Sequence, residues 1–244
     1  KKRERKVLFN NMSLPQETNF QFIDVPCASI IYTENWYNPI LTCSPGSKAR
    51  PCRRIMRENH LSISECEFIT SSLREGMYNL FHQGGATSLV PDSAIEARIG
   101  SNTLQLLKDI QIKTRKQVEI DHGLKEGTLF NSGSLITRLV GNVPKDRWEM
   151  NRSHVYWNAH VDKANIASYD YSALLYLNDK EDSFKGGSFV FIDEDIDLVV
   201  EPKCGRMLSF TSGFENLHKV EQVTSGVRFV FAMWFTCSSQ HRVS

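Results

Sequence analysis

The sequence predicts an α+β protein in which N-terminal helices buttress a double-stranded β-helix, the jelly roll. Three observations carry that expectation. Helical apolar spacing is confined to the stretch between Ser62 and Gly123, and after Gly127 the period shortens towards two. About eight short apolar runs then follow, many of them separated by turn signals. Short strands arriving after helices can close two sheets on one another while the helices cover one of them. The chain of 244 residues is long enough to bury such a core as one domain.

Residues 1–60 read as an irregular, cysteine-containing segment, with one apolar piece at Phe22–Ile31. Residues 61–244 read as the domain proper, with helical support over about 61–125 and the jelly-roll core over about 128–238. The first helix opens on Ser64-x-x-Glu67, which has the form of a capping box. Phe68, Ile69, Leu73, Met77, Leu80 and Phe81 follow at helical spacing, and Gly84-Gly85 reads as the stop. A second helix is expected from about Asn102 to Ile120, on Leu104, Leu107, Ile110 and Val118, ending near Gly123.

The strands expected in order are Ser134–Val140, Asn158–Asp162, Tyr169–Leu177, Ser188–Ile192, Asp197–Val200, Met207–Thr211, His218–Val223 and Val227–Cys237. Asn178-Asp179, Gly186-Gly187, Cys204-Gly205 and Ser225-Gly226 read as the turns between them, Gly186-Gly187 as a hairpin.

Lys and Arg number 29 against 28 acidic residues, so nothing in the balance asks for nucleic acid or an anionic membrane. No run of 18 apolar residues occurs, and any membrane attachment would use a segment outside this chain. The basic cluster at Lys1–Lys6 reads as a solvated terminus, with a juxtamembrane flank as the alternative. Lacking an initiating Met and a signal-peptide pattern, the chain reads as trimmed. Six cysteines without a C-x-x-C pair disfavour zinc and favour disulfides in an oxidising compartment, although they allow 15 connectivities. Cys66, on a helix, reads as a buried thiol. The sequons Asn11-Met-Ser and Asn151-Arg-Ser are no more than chance supplies.

The chemistry-bearing residues are few. His160 and Asp162 flank Val161, and on a strand residues i and i+2 share a face, so an imidazole and a carboxylate would point into one space. Taken singly, Asp162 could cap a loop and His218 could be a satisfied core histidine, because short matches arise by chance. The order is the stronger signal. His218 follows Asp162 by 56 residues and Arg228 follows His218 by ten. Two histidines and one carboxylate make the facial triad of non-haem Fe(II) oxygenases. An arginine on a neighbouring strand can clamp a distal carboxylate through two parallel hydrogen bonds.

H-V-D, then D-Y-S-A-L-L-Y-L-N, G-G-S-F-V-F, E-P-K-C-G-R-M, F-T-S-G-x-E-N-L-H-K-V and G-V-R-F-V-F-A-M-W-F-T resemble the catalytic core of 2-oxoglutarate- and Fe(II)-dependent hydroxylases. The prolyl 3- and 4-hydroxylase superfamily is the most similar broad class. Y-W-N-A-H-V-D-K with F-I-D-V-P-C further resembles a membrane-anchored branch of it. The resemblance spans about residues 134–238. It implies that His160, Asp162 and His218 hold iron, that Arg228 holds the C5 carboxylate of 2-oxoglutarate, and that the Tyr176 hydroxyl lies near that carboxylate. It also implies O₂ as cosubstrate, succinate and CO₂ as products, ascorbate as a reductant, and a protein or peptide substrate. The location implied is the lumen of the endoplasmic reticulum or Golgi, as part of a single-pass membrane protein. One departure stands out. The tyrosine such enzymes commonly carry upstream of H-x-D has no match, and Ser134–Val140 offers only Thr137.

A jelly-roll binding module that keeps metal for stability is the rival of a different class. Arg206 is a second possible anion clamp, although structural pairing suits it better. His60, His82, His122, His154 and His241 lack partner spacing and read as surface or packing residues. Trp157, Asn158, Asn165 and Tyr169 could line the mouth, and the two aromatics could equally be packing. Trp234 should pack within the sandwich, facing the same side as Arg228 six residues earlier.

Overall fold

The computed structural model describes residues 4–7, 19–28, 43, 52–77, 86–142 and 157–243. Twelve strands and four helices occur among them. The strands are β1 (Glu4–Val7), β2 (Phe20–Val25), β3 (Cys52–Arg57), β4 (Ala86–Leu89), β5 (Phe130–Val140), β6 (Tyr171–Tyr176), β7 (Phe184–Gly186), β8 (Phe189–Phe191), β9 (Ile196–Val200), β10 (Met207–Thr211), β11 (His218–Val220) and β12 (Val223–Thr236). The helices are α1 (Ile63–Gly76), α2 (Ser93–Ile99), α3 (Ser101–Asp121) and the single turn α4 (Asp162–Asn165).

The major sheet runs β2-β3-β10-β6-β12-β5-β4, with β7 added on β12, and the minor sheet runs β1-β9-β8-β11. All pairs are antiparallel except β1 on β9. This is the α+β jelly roll the sequence predicts. Its centre is β12, which pairs with β5 and β6 on its two sides. Phe229, Phe231, Met233 and Phe235 point to the helices and join Ile69, Leu73, Leu107 and Ile110 in one core. Val230 points the other way, into a second core with Tyr176, Leu208 and Phe210 of the major sheet and Phe189, Phe191 and Val200 of the minor one. A strand buried on both faces must be apolar throughout, which is why V-R-F-V-F-A-M-W-F shows no simple alternation.

Several expectations are corrected. The segment read as irregular supplies β1 to the minor sheet and β2 and β3 to the major one, with β2 at its edge. The capping box of α1 is Ser62 with Glu65, two residues before the pair expected: the Ser62 hydroxyl accepts from the Glu65 N–H, and the Glu65 carboxylate accepts from the Ser62 N–H at 2.8 Å. Leu80, Phe81 and the Gly84-Gly85 stop lie outside the described residues, as do His82, His154 and both sequons. α2 has no counterpart in the expected elements.

Gly186-Gly187 does not close a hairpin. β7 pairs with β12 while β8 belongs to the other sheet, so the two glycines carry the chain across, both at positive φ. Ser225-Gly226 likewise lies inside β12, just after a bulge between Val223 and Ser225, and is not a turn before the strand. An added Cβ on Gly226, at φ +74°, would stand 2.2 Å from the Ser183 carbonyl oxygen.

All six cysteines pair, as Cys27–Cys52, Cys43–Cys237 and Cys66–Cys204. Cys66 is therefore not a thiol. Its helix begins beside the β9–β10 turn, where the Gly205 carbonyl accepts from the His60 N–H at 2.8 Å, and that contact brings Cys204 within reach. His60 and His122 are buried packing residues, bonded to Thr114 at 3.1 Å and Ser209 at 3.2 Å. His241 is exposed.

Two predictions follow from these contacts. Ser62→Ala should cost about 1 kcal/mol in urea unfolding, the usual worth of an N-cap. Ser64→Ala should move stability by less than about 0.5 kcal/mol, as for an ordinary surface site. Burial, and the Lys113 and Arg57 charges, pull the His60 imidazole down to about 4, and burial pulls His122 to about 3. Their unfolded forms take up protons near pH 6.5, so both contribute stability above that pH that is lost as pH falls towards 4. Denaturant midpoints at pH 7 and pH 5 should differ less for His60→Gln than for wild type.

Candidate active site

His160 and His218 meet as an isolated antiparallel bridge: each backbone N–H donates to the other's carbonyl, at 2.9 and 3.0 Å. Residues paired this way project their side chains to one side of the sheet. The two imidazole rings accordingly sit 4.4 Å apart between centroids. β11 pairs on its other flank with β8, so His218 is held from both sides, opposite Phe191.

Asp162 does not share a strand with His160, contrary to expectation. It begins the turn α4, and the strand-like geometry is confined to Val161, at φ −122° and ψ 129°. One extended residue suffices to bring the carboxylate back beside the imidazole. Asp162 Oδ1 lies 3.7 Å from His160 Nε2 and 3.8 Å from His218 Nε2. The three donor atoms fall within 4.8 Å of one another.

These donors fit a divalent transition metal. Bonds of about 2.1 Å to a shared ion would draw Asp162 Oδ1 and each imidazole nitrogen together by under about 1 Å. Their surroundings already prepare them. His160 Nδ1 is 3.0 Å from the Asn158 carbonyl and His218 Nδ1 is 2.8 Å from the Asn216 carbonyl, the same i−2 arrangement twice. Each Nδ1–H can donate there, which leaves each Nε2 lone pair free for a metal. Burial also pushes the His218 imidazole below the usual histidine value, against the opposing pull of Asp162, which favours the neutral ligand form. Asp162 Oδ2 accepts from Ser172 Oγ at 2.6 Å, and Ser172 is bonded to Ser212 at 2.8 Å. One carboxylate oxygen is thus engaged while the other faces the imidazoles. Next to it, the buried pair Lys163–Asp170, at 2.8 Å, ties α4 to the start of β6.

The wall beyond His218 is aromatic: Phe189 stacks on its ring at 4.9 Å, and Phe210 lies edge-on at 5.2 Å. Tyr176 and Val230 belong to the same cluster. Arg228, only 2% exposed, lies on this inner face, its guanidinium carbon 5.5 Å from the centre of the Tyr176 ring. Burial pushes the Tyr176 hydroxyl up to about 12 although Arg228 pulls it down, so the group is a neutral donor beside a permanent cation. Gly187 makes the space for that cation. A Cβ there would stand 2.9 Å from Arg228 Cδ, and the residue is at φ +66°. A cation and a phenol on one apolar wall fit a carboxylate.

Thr137 faces the same interior, opposite Val230 across β5 and β12, with its hydroxyl 3.4 Å from the Val230 carbonyl. Arg206 is engaged elsewhere, with Glu58 at 2.6 Å. Trp234 shares the face of Arg228, since no register shift separates them, but it is only half-buried and stacks on Tyr169 at 5.0 Å. Tyr169 is buried, His160 and Trp157 are partly exposed, and Asn158, Asn165 and Ile166 are exposed. Sequence reasoning missed Ser172, Ser212 and Asn216. The first two are unremarkable serines within apolar runs, and nothing in their spacing points to a carboxylate.

A jelly roll that brings two histidines and one carboxylate together in this way defines the class of non-haem oxygenases. The chain belongs to the 2-oxoglutarate- and Fe(II)-dependent oxygenase superfamily, and it is an oxidoreductase of that kind. The profile of the 2OG-Fe(II) oxygenase superfamily matches residues 149–236. The chain is 30% identical over 242 residues to the Rattus norvegicus protein named 2-oxoglutarate and iron-dependent oxygenase domain-containing protein 3, across 91% of this chain and 73% of the relative. It is 35% identical over 176 residues to human prolyl 3-hydroxylase 2, across 65% of this chain and 24% of that protein. The fold is shared with a Pseudomonas putida prolyl-4-hydroxylase, at TM-score 0.51 and 17% identity, over 78% of this chain and 93% of that one. A prolyl hydroxylase from Trichoplax adhaerens, solved with a hypoxia inducible factor peptide fragment, gives TM-score 0.51 at 15% identity, over 78% and 85%.

Removing the Ser172 hydroxyl should loosen Asp162 without touching a donor atom. Ser172→Ala is expected to weaken Mn(II) binding by about tenfold, the scale on which such supporting hydrogen bonds act. Titration calorimetry on the folded variant measures it.

Proposed function

We propose that the protein hydroxylates a protein or peptide side chain, consuming 2-oxoglutarate and O₂ and releasing succinate and CO₂. His160, Asp162 and His218 would hold Fe(II), and Arg228 with Tyr176 would receive the C5 carboxylate of 2-oxoglutarate. The observation that carries this reading is the set of three donors converging within 4.8 Å inside a barrel that also buries an arginine. Oxidative decarboxylation of 2-oxoglutarate and the hydroxylation coupled to it are the chemistry that Fe(II) supplies when bound.

The chain's own residues bind, orient and exclude water. Arg228 offers a planar fork to one carboxylate, with the Tyr176 hydroxyl as a third donor. The aromatic wall of Phe189 and Phe210 keeps the far side of the donor set dry, which strengthens both the ion pairing and the hydrogen bonds. Atoms balance with one oxygen entering the substrate C–H bond and the other entering succinate. The peptide nature of the substrate draws on the prolyl hydroxylases that share the fold, one of them solved with a peptide fragment.

The reading extends to location. No helix among the described residues is long and apolar enough to cross a membrane. Three disulfides that use every cysteine suit an oxidising, secretory compartment. The lumen of the endoplasmic reticulum or Golgi, with anchoring by a segment outside this chain and ascorbate as reductant, agrees with that chemistry. The sequons at Asn11 and Asn151 would be acceptors there.

Succinate formation from 2-oxoglutarate with Fe(II), ascorbate and O₂ tests the proposal. Wild type should show slow turnover even without its target. His160→Ala should abolish it, and Arg228→Ala should raise the KM for 2-oxoglutarate by about a hundredfold, the loss of a charge-assisted pair. Absence of both turnover and 2-oxoglutarate binding in wild type would contradict the reading and leave a metal-keeping binding module.

A further inference from the structure

One buried arginine of the interior comes from outside the matched profile. Arg54 lies on β3, in C-R-R-I-M-R, and the register opposite Phe210 turns it inwards while Arg53 turns out to Asp24. It is 1% exposed and crosses the interior over the face of Phe191, 4.0 Å from the ring centre. Every donor nitrogen is used. Nε donates to Asn216 Oδ1 at 2.7 Å, Nη1 and Nη2 grip the Asp193 carboxylate at 2.7 Å each, and Nη2 also reaches the Glu215 carbonyl at 3.0 Å.

The target of this grip is the short 3₁₀ turn Phe214–Asn216, two residues before His218. Asn216 is fixed on both sides: its amide also donates to the Thr211 carbonyl at 2.8 Å, and its own carbonyl is the acceptor for His218 Nδ1. We propose that Arg54 is a positioning residue for His218, acting through Asn216 to hold the imidazole with Nδ1 donating and Nε2 aimed at the metal position. This rests on the iron-site reading above and adds a residue from the N-terminal strand pair to it. Asp193, at the start of the β8–β9 connection, serves as the anchor at the other end of the guanidinium. The minor sheet, the 3₁₀ turn and β3 are thereby locked to one another around a single side chain. A planar, five-donor group is needed for that; an ammonium reaches only one of the three acceptors well.

The test compares Arg54→Met, which keeps bulk and removes the fork, Arg54→Lys, which keeps the cation opposite Asp193, and Arg53→Met, the outward neighbour. The first readout is the nitrogen NMR spectrum of the His218 imidazole in metal-free protein, which reports the tautomer and needs neither iron nor turnover. The second is Mn(II) affinity by calorimetry. Both Arg54 variants should lose the single locked Nδ1–H tautomer and bind Mn(II) about tenfold more weakly, while Arg53→Met matches wild type. If Arg54→Met does not fold, Arg54→Lys decides the matter alone. A folded Arg54 variant with the wild-type imidazole spectrum and wild-type Mn(II) affinity would overturn the proposal. Failure of wild type to bind Mn(II) would strike the iron-site reading instead, and the imidazole spectrum would still judge Arg54.

Discussion

Two backbone hydrogen bonds between His160 and His218 determine how the rest of the site is built. They join a residue in the connection before β6 to the first residue of β11, and so fix two imidazoles side by side at a sheet edge. Once that pair exists, Asp162 needs only one extended residue to reach the same point, and α4 can begin on the aspartate itself. The pair also requires β11 to be rigid. It is flanked on the other side by β8, whose Phe189 and Phe191 pack against His218.

The interior is a compromise between apolar packing and buried charge. Arg54, Arg228 and the Lys163–Asp170 pair all sit at 4% exposure or less among aromatic and aliphatic side chains. Desolvating such groups costs several kcal/mol each unless hydrogen bonds offset it. Arg54 and Lys163 meet that requirement with carboxylates and carbonyls of the fold. Replacing Lys163 alone by an apolar residue would leave Asp170 buried without its cation, a loss of about 3–5 kcal/mol.

Much of this was legible in the sequence, and what was not has a physical pattern. The 3.6 period of α3 gave its bounds to within a residue at each end, because a long amphipathic helix repeats its own signal. The apolar runs located β10 without error and β6, β8 and β9 to within two residues at each end, while β1, β2, β3, β4 and β7 had no expected counterpart. That His160, Asp162 and His218 converge was anticipated from their order along the chain, aided by resemblance. Glycines misled: Gly186, Gly187 and Gly226 announce positive φ, which a turn, a crossing between sheets and a strand interior beside a bulge use equally well. Long-range pairings were out of reach. Cys66 meets Cys204 across 138 residues, and Arg54 meets Asn216 across 162. In R-R, which arginine turns inward is decided by the register of β3 on β10 and by nothing local.

The central claim is that one metal ion sits between His160, Asp162 and His218. Anomalous X-ray scattering at the iron edge from crystals loaded anaerobically with Fe(II) tests it most directly. The account predicts a single peak about 2.1 Å from both Nε2 atoms and from Asp162 Oδ1, the usual metal–ligand distance. Iron elsewhere, or no peak beside these three atoms, would contradict it.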